Sequence, residues 1–578
     1  MPRWPVMTSQ TVTDDAPQEQ DPGRPPAAWG QRLRRFGYVP PRSAGVRERL
    51  VPPYPEPGSR LWQYFGFAPA AAARLAGWTG WGGPLLVAAL AGALRFVNLG
   101  SPNAVIFDET YYAKDAWSLL RRGYETEWAD DANERIMAGQ TPFDDAAAYV
   151  VHPPAGKWVI AVGEWLFGLT PFGWRFMVAL LGTLSVLMVC RIGRRLFRST
   201  VLGCVAGLLL AVDGLHFVMS RTALLDLVLM FWLLAAFGCL LVDRDRARVR
   251  LAEALPTGSD GLLRPDAEVA GRLGLGARPW RIAAGVCLGL ACATKWNGLY
   301  VLAAFGVLTV LWDAAARRTA GAKRPRHATL RRDALPAFVS LVPVALAVYL
   351  VSWTGWFATS GGYYRDWANR EGAGESDYSF VPAVLRSWWH YTTEVYQFHV
   401  GLTSEHNYES NPWSWLAATR PVTYYYTSEE RGEGDCRYAS GCAREVLALG
   451  TPLLWWTACF ALAYLVYRWG FRRDWRAGAV LCGVAAGYLP WFMYQERTIF
   501  YFYAVVLTPF LCLAVTMLIG ALLGPPGCSE RRRVLGIVAS GVLVLLIAWN
   551  FIYFYPIYTG TEIPVDGWRS RMWLDTWV

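Results

Sequence analysis

The sequence predicts an all-α polytopic membrane protein with about eleven transmembrane helices. Three observations point there. Of 578 residues, 54% are apolar and only 17% are charged. The 30 Trp, 28 Tyr and 26 Phe exceed what a soluble core needs and suit a protein that lines two membrane interfaces. The apolar residues gather into runs of roughly the 20 residues that span a bilayer, and the connections between runs alternate between basic and acidic. Disorder, collagen-like repeats and small disulfide scaffolds are excluded by the same composition.

Residues 1–80 hold ten Arg, and 12 of the 35 prolines lie in the first 60 positions, with no long apolar run. This stretch reads as a mostly disordered cytoplasmic tail. Its end, Leu61 to Trp78, is aromatic and Ala-rich and reads as a segment lying on the membrane surface. No apolar core with a cleavage site lies near Met1, so the first span, 84–99, is expected to act as an uncleaved anchor. Residues 81–578 form the membrane unit, with further spans expected at 173–190, 200–219, 222–242, 282–296, 298–313, 335–356, 450–467, 477–494, 499–522 and 534–554.

Orientation follows from the loops. With a cytoplasmic amino terminus, 243–281 is an inner loop, and so is 191–199, with four Arg and no acid. Loops 314–333, 468–476 and 523–533 carry seven, four and three basic residues, each against one acid. The two large outer loops reverse the bias: 100–172 has eleven acids against five bases, and 357–449 has twelve against seven. The net charge of +10 is therefore a topology signal, and no nucleic-acid partner is expected. Nine of the eleven Cys lie within or beside spans or inner loops and read as small apolar residues. Cys436 and Cys442 sit in an outer loop, where an oxidising compartment permits a disulfide without requiring one. No Cys/His spacing resembles a zinc site, and no metal ligand set is expected.

Loops this long in a compact membrane protein are usually functional or disordered, and these are too aromatic to be disordered. The first opens Phe107-Asp108-Glu109-Thr110-Tyr111-Tyr112-Ala113-Lys114, close beyond the first span. Adjacent carboxylates on a loop are commonly solvated surface. This pair lies against the membrane face between Ile106-Phe107 and two tyrosines, where apolar surroundings raise a carboxylate pKa and make a useful general base. A second feature is a set of cations on the outer side: Arg95, Lys157, Arg175, Arg221, Lys295 and Arg497. Any one of them reads as a snorkelling anchor. Together they run against the positive-inside bias and ask for a shared partner, which an anionic headgroup at outer-leaflet depth supplies. Carboxylate and cations suggest a transferase with a lipid-phosphate-linked donor: the carboxylate activates the acceptor and the cations hold the leaving phosphate.

From about residue 84 to the end, the chain resembles the protein O-mannosyltransferases, in particular the actinobacterial polyprenol-phosphate-mannose–protein mannosyltransferases of the GT-C glycosyltransferase class. The resemblance rests on Phe107-Asp108-Glu109 with Lys114, His152-Pro153-Pro154-Ala155-Gly156-Lys157, Arg221 to Asp226, and Thr294-Lys295-Trp296-Asn297-Gly298. It continues through Phe398-His399-Val400-Gly401-Leu402-Thr403-Ser404-Glu405-His406 and Phe554-Tyr555-Pro556. It implies a GT-C fold with short membrane-parallel helices in the outer loops and an extracytoplasmic active site in a multi-pass protein of the cell membrane. It also implies transfer of mannose from polyprenyl-phosphate-mannose to Ser or Thr of a polypeptide emerging from the secretion translocon, with inversion. By the same resemblance Asp108 is the general base and Glu109 orients the acceptor or a helix end. Lys157, Arg221, Lys295 and Arg497 become phosphate contacts with Arg95 and Arg175 beside them, and Lys114, His152, Asp226, His399 and His406 become further pocket residues. The β-trefoil domain of the eukaryotic relatives does not fit the ninety or so residues of 357–449. No cofactor is required by the sequence; a divalent cation is the one addition the resemblance leaves open. Two other readings stand beside this one: a GT-C transferase for aminoarabinose or arabinose with a lipid or glycan acceptor, and a transporter or flippase. The second requires ionisable residues at mid-membrane depth, whereas the charges here gather at span ends and in loops.

Overall fold

The computed structural model describes residues 45–52, 68–370, 380–525 and 528–578. Most of the expected tail, including 61–67 of the surface segment, lies outside them. Helix α1 (Pro69–Phe96) starts well before the expected first span, with a proline in its first turn, where the missing N–H is no loss. The first outer loop follows, with α2 (Glu109–Arg122) and α3 (Ala155–Phe167). Next come α4 (Pro171–Phe197), capped by the Thr170 hydroxyl on Gly173 N, and α5 (Thr200–Ala211), capped by Ser199 on Leu202 N. The expected span at 200–219 is broken. Asp213 accepts from His216 N at 2.9 Å and caps a new short helix, α6 (Gly214–Met219), because an Asx side chain competes with the helical ladder.

The long α7 (Leu225–Glu253) runs through the centre of the molecule, followed by α8 (Pro279–Cys292), α9 (Gly298–Thr319) and α10 (Leu335–Ser352). The second outer loop holds α11 (Ala383–Gly401), and the chain ends through α12 (Pro452–Gly470), α13 (Trp475–Tyr488), α14 (Thr508–Leu522) and α15 (Glu530–Thr559). All eleven expected spans fall on helices. Among the described residues, six helical stretches are long and apolar enough to cross a membrane: 171–197, 225–253, 298–319, 325–352, 501–522 and 530–559. The apolar lengths of α7 and of 501–522 are mostly buried in protein, whereas α10 and α15 turn theirs outward, as lipid-facing helices do. Helices α8 and α10 approach closely across Gly285 and Gly289: a Cβ on Gly285 would sit 2.3 Å from the Ser340 carbonyl.

Two small sheets in the outer loops depart from the all-α expectation. β1 (Thr126–Trp128) pairs antiparallel with β2 (Phe143–Ala147). The second sheet has the order β3 (Val422–Glu429), β4 (Cys442–Ala448), β5 (Ile563–Pro564), with Val422 opposite Ala448 and Glu429 opposite Cys442. The run Val-Thr-Tyr-Tyr-Tyr-Thr is β-branched and aromatic, which favours a strand over a helix. Cys436 and Cys442 form a disulfide at the end of this hairpin. On the opposite side of the molecule, α7 extends into the expected inner loop 243–281, and its end packs on Val46 and Leu50. There Arg278 bonds Asp243 and Asp313, each at 2.5 Å, and Arg317 bonds Asp333 at 2.6 Å and the Ala270 and Leu273 carbonyls.

Candidate active site

Asp108 immediately precedes α2. The residue before it, Phe107, has φ +47°, a left-handed conformation that costs a bulky side chain energy and persists only where packing demands it. Here the Phe107 ring stacks on Tyr424 at 4.4 Å and meets Phe502 edge-on at 5.5 Å. The Asp108 carboxylate makes no capping bond to its own helix. Burial pushes its pKa up to about 6; Lys295 opposes the shift and Asp226 adds to it, so both lie within electrostatic reach.

Glu109, one residue on, is fully buried and saturated. Arg175 donates to it from Nε at 2.7 Å and from Nη2 at 2.8 Å, and the Ile106 and Ala223 amides donate at 3.1 Å. These bonds hold the helix end, one of its two expected roles. It pins the start of α2 to α4 and to the turn before α7.

Four cations expected at the phosphate are held elsewhere. Arg175 also reaches the Pro102 and Ala104 carbonyls at 2.9 Å. Arg221 donates at 2.7 Å to the carbonyls of Arg95, Val97 and Asn98. Arg95 bonds His216 Nδ1 at 2.8 Å and the Ala91 carbonyl at 3.2 Å. For Arg221 the physical reason is the last turn of α1, which leaves carbonyls without helical partners that a guanidinium, with five donors, can meet. Arg175 meets carbonyls of the loop that follows. Lys157 is neutralised instead by carboxylates, Glu125 at 2.5 Å and Asp115 at 3.4 Å. His406 also lies apart from the cavity; its Nδ1 accepts from Tyr408 N at 3.1 Å and its ring meets Phe500. Lys114 lies on α2, half-buried, and does not line the cavity.

The remaining predicted residues converge. A cavity of about 310 Å³ is lined by the polar residues His152, Asp226, Lys295, Asn297, His399 and Arg497 and by the apolar residues Leu233, Val301, Ala486, Pro490, Trp491 and Val506. Lys295 Nζ lies 2.6 Å from Asp226 Oδ2 and 5.1 Å from the Tyr503 ring centre. Arg497 has no carboxylate within ion-pairing distance among the described residues, and its buried Nε has no partner. The buried Asn297 Oδ1 is likewise unmatched. The His152 and His399 rings stack at 5.1 Å, and burial holds the pKa of His152 well below its usual value and that of His399 at about 4, with Arg497 and Lys295 adding to both shifts. The hydroxyls of Tyr300 and Tyr494 meet at 2.6 Å in the cavity wall. Sequence reasoning missed Asn297, Tyr300, Tyr494 and Tyr503. Asn297 was within sight, two positions after Lys295 in a segment that already drew attention. Among the described residues, no group of three or more His, Cys, Asp or Glu side chains is placed to hold a metal ion.

With this geometry in place, comparison with known proteins is informative. Residues 85–255 and 269–359 match the family described as dolichyl-phosphate-mannose-protein mannosyltransferase, and 384–577 match the C-terminal four TMM region of protein-O-mannosyltransferase. The chain belongs to the protein O-mannosyltransferase family. Over 508 residues it is 42% identical to the polyprenol-phosphate-mannose–protein mannosyltransferase of Mycolicibacterium smegmatis, covering 86% of this chain and 93% of that one. The Corynebacterium glutamicum protein of the same name is 34% identical over 501 residues, covering 85% and 92%. Among solved structures, the S. cerevisiae protein O-mannosyltransferase Pmt1-Pmt2 complex bound to the sugar donor superposes with a TM-score of 0.64 at 15% identity, covering 86% of this chain and 92% of that chain. This protein O-mannosyltransferase is therefore a multi-pass membrane glycosyltransferase with the GT-C fold.

Proposed function

We propose that this protein O-mannosyltransferase moves mannose from polyprenyl-phosphate-mannose to Ser or Thr hydroxyls of polypeptides on the extracytoplasmic face. The observation that carries the reading is the mixed lining of the cavity. Lys295 and Arg497 match a phosphate and the apolar residues match a prenyl chain, while Asp108 lies within electrostatic reach of Lys295. In the proposed reaction Asp108 takes the hydroxyl proton, and the oxygen attacks the anomeric carbon opposite the phosphate. The carbon–oxygen bond to phosphate breaks with inversion, from a β-linked donor to an α-linked product. Lys295 and Arg497 hold the polyprenyl phosphate that leaves, with charge-assisted hydrogen bonds that strengthen as negative charge develops.

The orientation, with the amino terminus in the cytoplasm and the cavity at the outer leaflet, is supported by the loop charges and by the disulfide in the second large loop. An extended polypeptide leaving the secretion translocon is the acceptor that such a site meets. The test is transfer of radiolabel from polyprenyl-phosphate-mannose to a Ser/Thr/Pro-rich peptide by the purified full chain. Transfer from an aminoarabinose donor in place of the mannose donor would overturn the assignment of the sugar.

A further inference from the structure

Lys295 has Asp226 to fix its direction, but Arg497 has no carboxylate among the described residues and is aimed by another group. It sits in the link between α13 and the 3₁₀ turn Tyr501–Leu507. Its Nη2 lies 3.2 Å from Nδ1 of His399, on α11. The other ring nitrogen of His399, Nε2, lies 2.7 Å from the Val151 carbonyl. A guanidinium only donates and a carbonyl only accepts. Both contacts are therefore met by one state of the ring: neutral, with its hydrogen on Nε2 and its lone pair on Nδ1, as its partners assign it. The His152 ring stacked on one side and Trp296, edge-on at 6.0 Å, confine the imidazole between them. His399 thus ties together the end of the first outer loop, the second outer loop and the segment that bears Arg497.

We infer that His399 is a positioning residue for the donor site: it bridges Val151 to Arg497 and holds the guanidinium so that its remaining Nη hydrogens stay for phosphate oxygens. The inference rests on the reading of Arg497 as a phosphate ligand. A planar fork needs its plane fixed if it is to meet phosphate in two places, and a single ring contact to one Nη does this without neutralising the charge.

The test uses the full chain in detergent or nanodiscs, with KM for polyprenyl-phosphate-mannose and kcat measured separately. His399→Ala is expected to raise the donor KM by about tenfold, the scale of one lost hydrogen bond to a charged group, with a smaller effect on kcat. Two conservative variants separate the roles. His399→Asn places an amide oxygen near the position of Nδ1 and keeps the acceptor for Arg497, so it should recover most of the donor affinity. His399→Gln places its amide nitrogen near Nε2, keeps only the bond to Val151 and should not. The reverse ranking would mean that His399 merely secures the loop, and the inference would be overturned. In an Arg497→Ala background, His399→Ala should cause no further rise in KM; additive effects would also overturn it. Where His399→Ala does not yield folded protein, the ranking of Asn and Gln decides alone. If Arg497→Ala leaves the donor KM unchanged, the phosphate assignment itself fails. If Arg497→Ala raises KM and the His399 variants do not, only the role of His399 falls.

Discussion

The two ends of the helical assembly treat buried charge in opposite ways. At the end near Val46 and Leu50, Arg278 is shared by Asp243 and Asp313, and Arg317 is closed off by Asp333 and two carbonyls. At the cavity Lys295 has one carboxylate, and Arg497 has none among the described residues. The same contrast repeats around the cavity end, where Arg95, Arg175, Arg221 and Lys157 are matched by carbonyls or carboxylates. Matched charge ties segments of chain together, and removing one partner leaves the other stranded in low dielectric. Unmatched charge beside a cavity is a site waiting for an anion. What separates the two sets of cations here is the partner, since the residue types are the same.

Four outcomes would break or sharpen that contrast. Asp108→Asn is expected to lower transfer by about 10²–10⁴-fold while the protein still binds donor, measured by turnover beside a donor-binding assay. Substantial turnover by that variant removes Asp108 as the base. Glu109→Gln near the cavity and Asp243→Asn at the far end should each cost about 3–5 kcal/mol of stability, read as a fall in thermal midpoint in detergent. Asp243→Asn should leave the donor KM of the surviving folded protein unchanged; a raised KM would mean that the Arg278 network is coupled to the cavity. Arg497→Ala should do the reverse, weakening donor binding by about 1.5–3 kcal/mol with little change in thermal midpoint. The smallest effect is on pH. Because the base acts in its ionised form and burial raises its pKa to about 6, kcat/KM should fall as pH drops through about 6 and level off above it. A profile still flat well below pH 6 would show that no group with that pKa controls the rate.

Much of this was legible in the sequence. Hydropathy placed the spans, since a bilayer imposes both length and apolarity. The sequence also marked Lys295, Asp226, His152, His399 and Arg497, which the fold gathers around one cavity. What it did not reveal was which cations are already taken. The carbonyls that hold Arg221 and Arg175 belong to 95–104, and a backbone carbonyl leaves no trace in residue type. Lys157 meets Asp115 and Glu125 only because α2 and α3 lie side by side. The break at Asp213 was hidden by the apolar run around it, although an Asp three positions ahead of His216 is a recognisable cap.

The neighbours Asp108 and Glu109 show how a reactive group can be exact without being gripped. Four donors clamp the glutamate, so the peptide unit beside it inherits a fixed address while the aspartate keeps its oxygens uncommitted to the helix it precedes. In the proposed reaction the hydroxyl would meet an acceptor that makes no bond to its own helix, and the rigidity it depends on is stored one residue away.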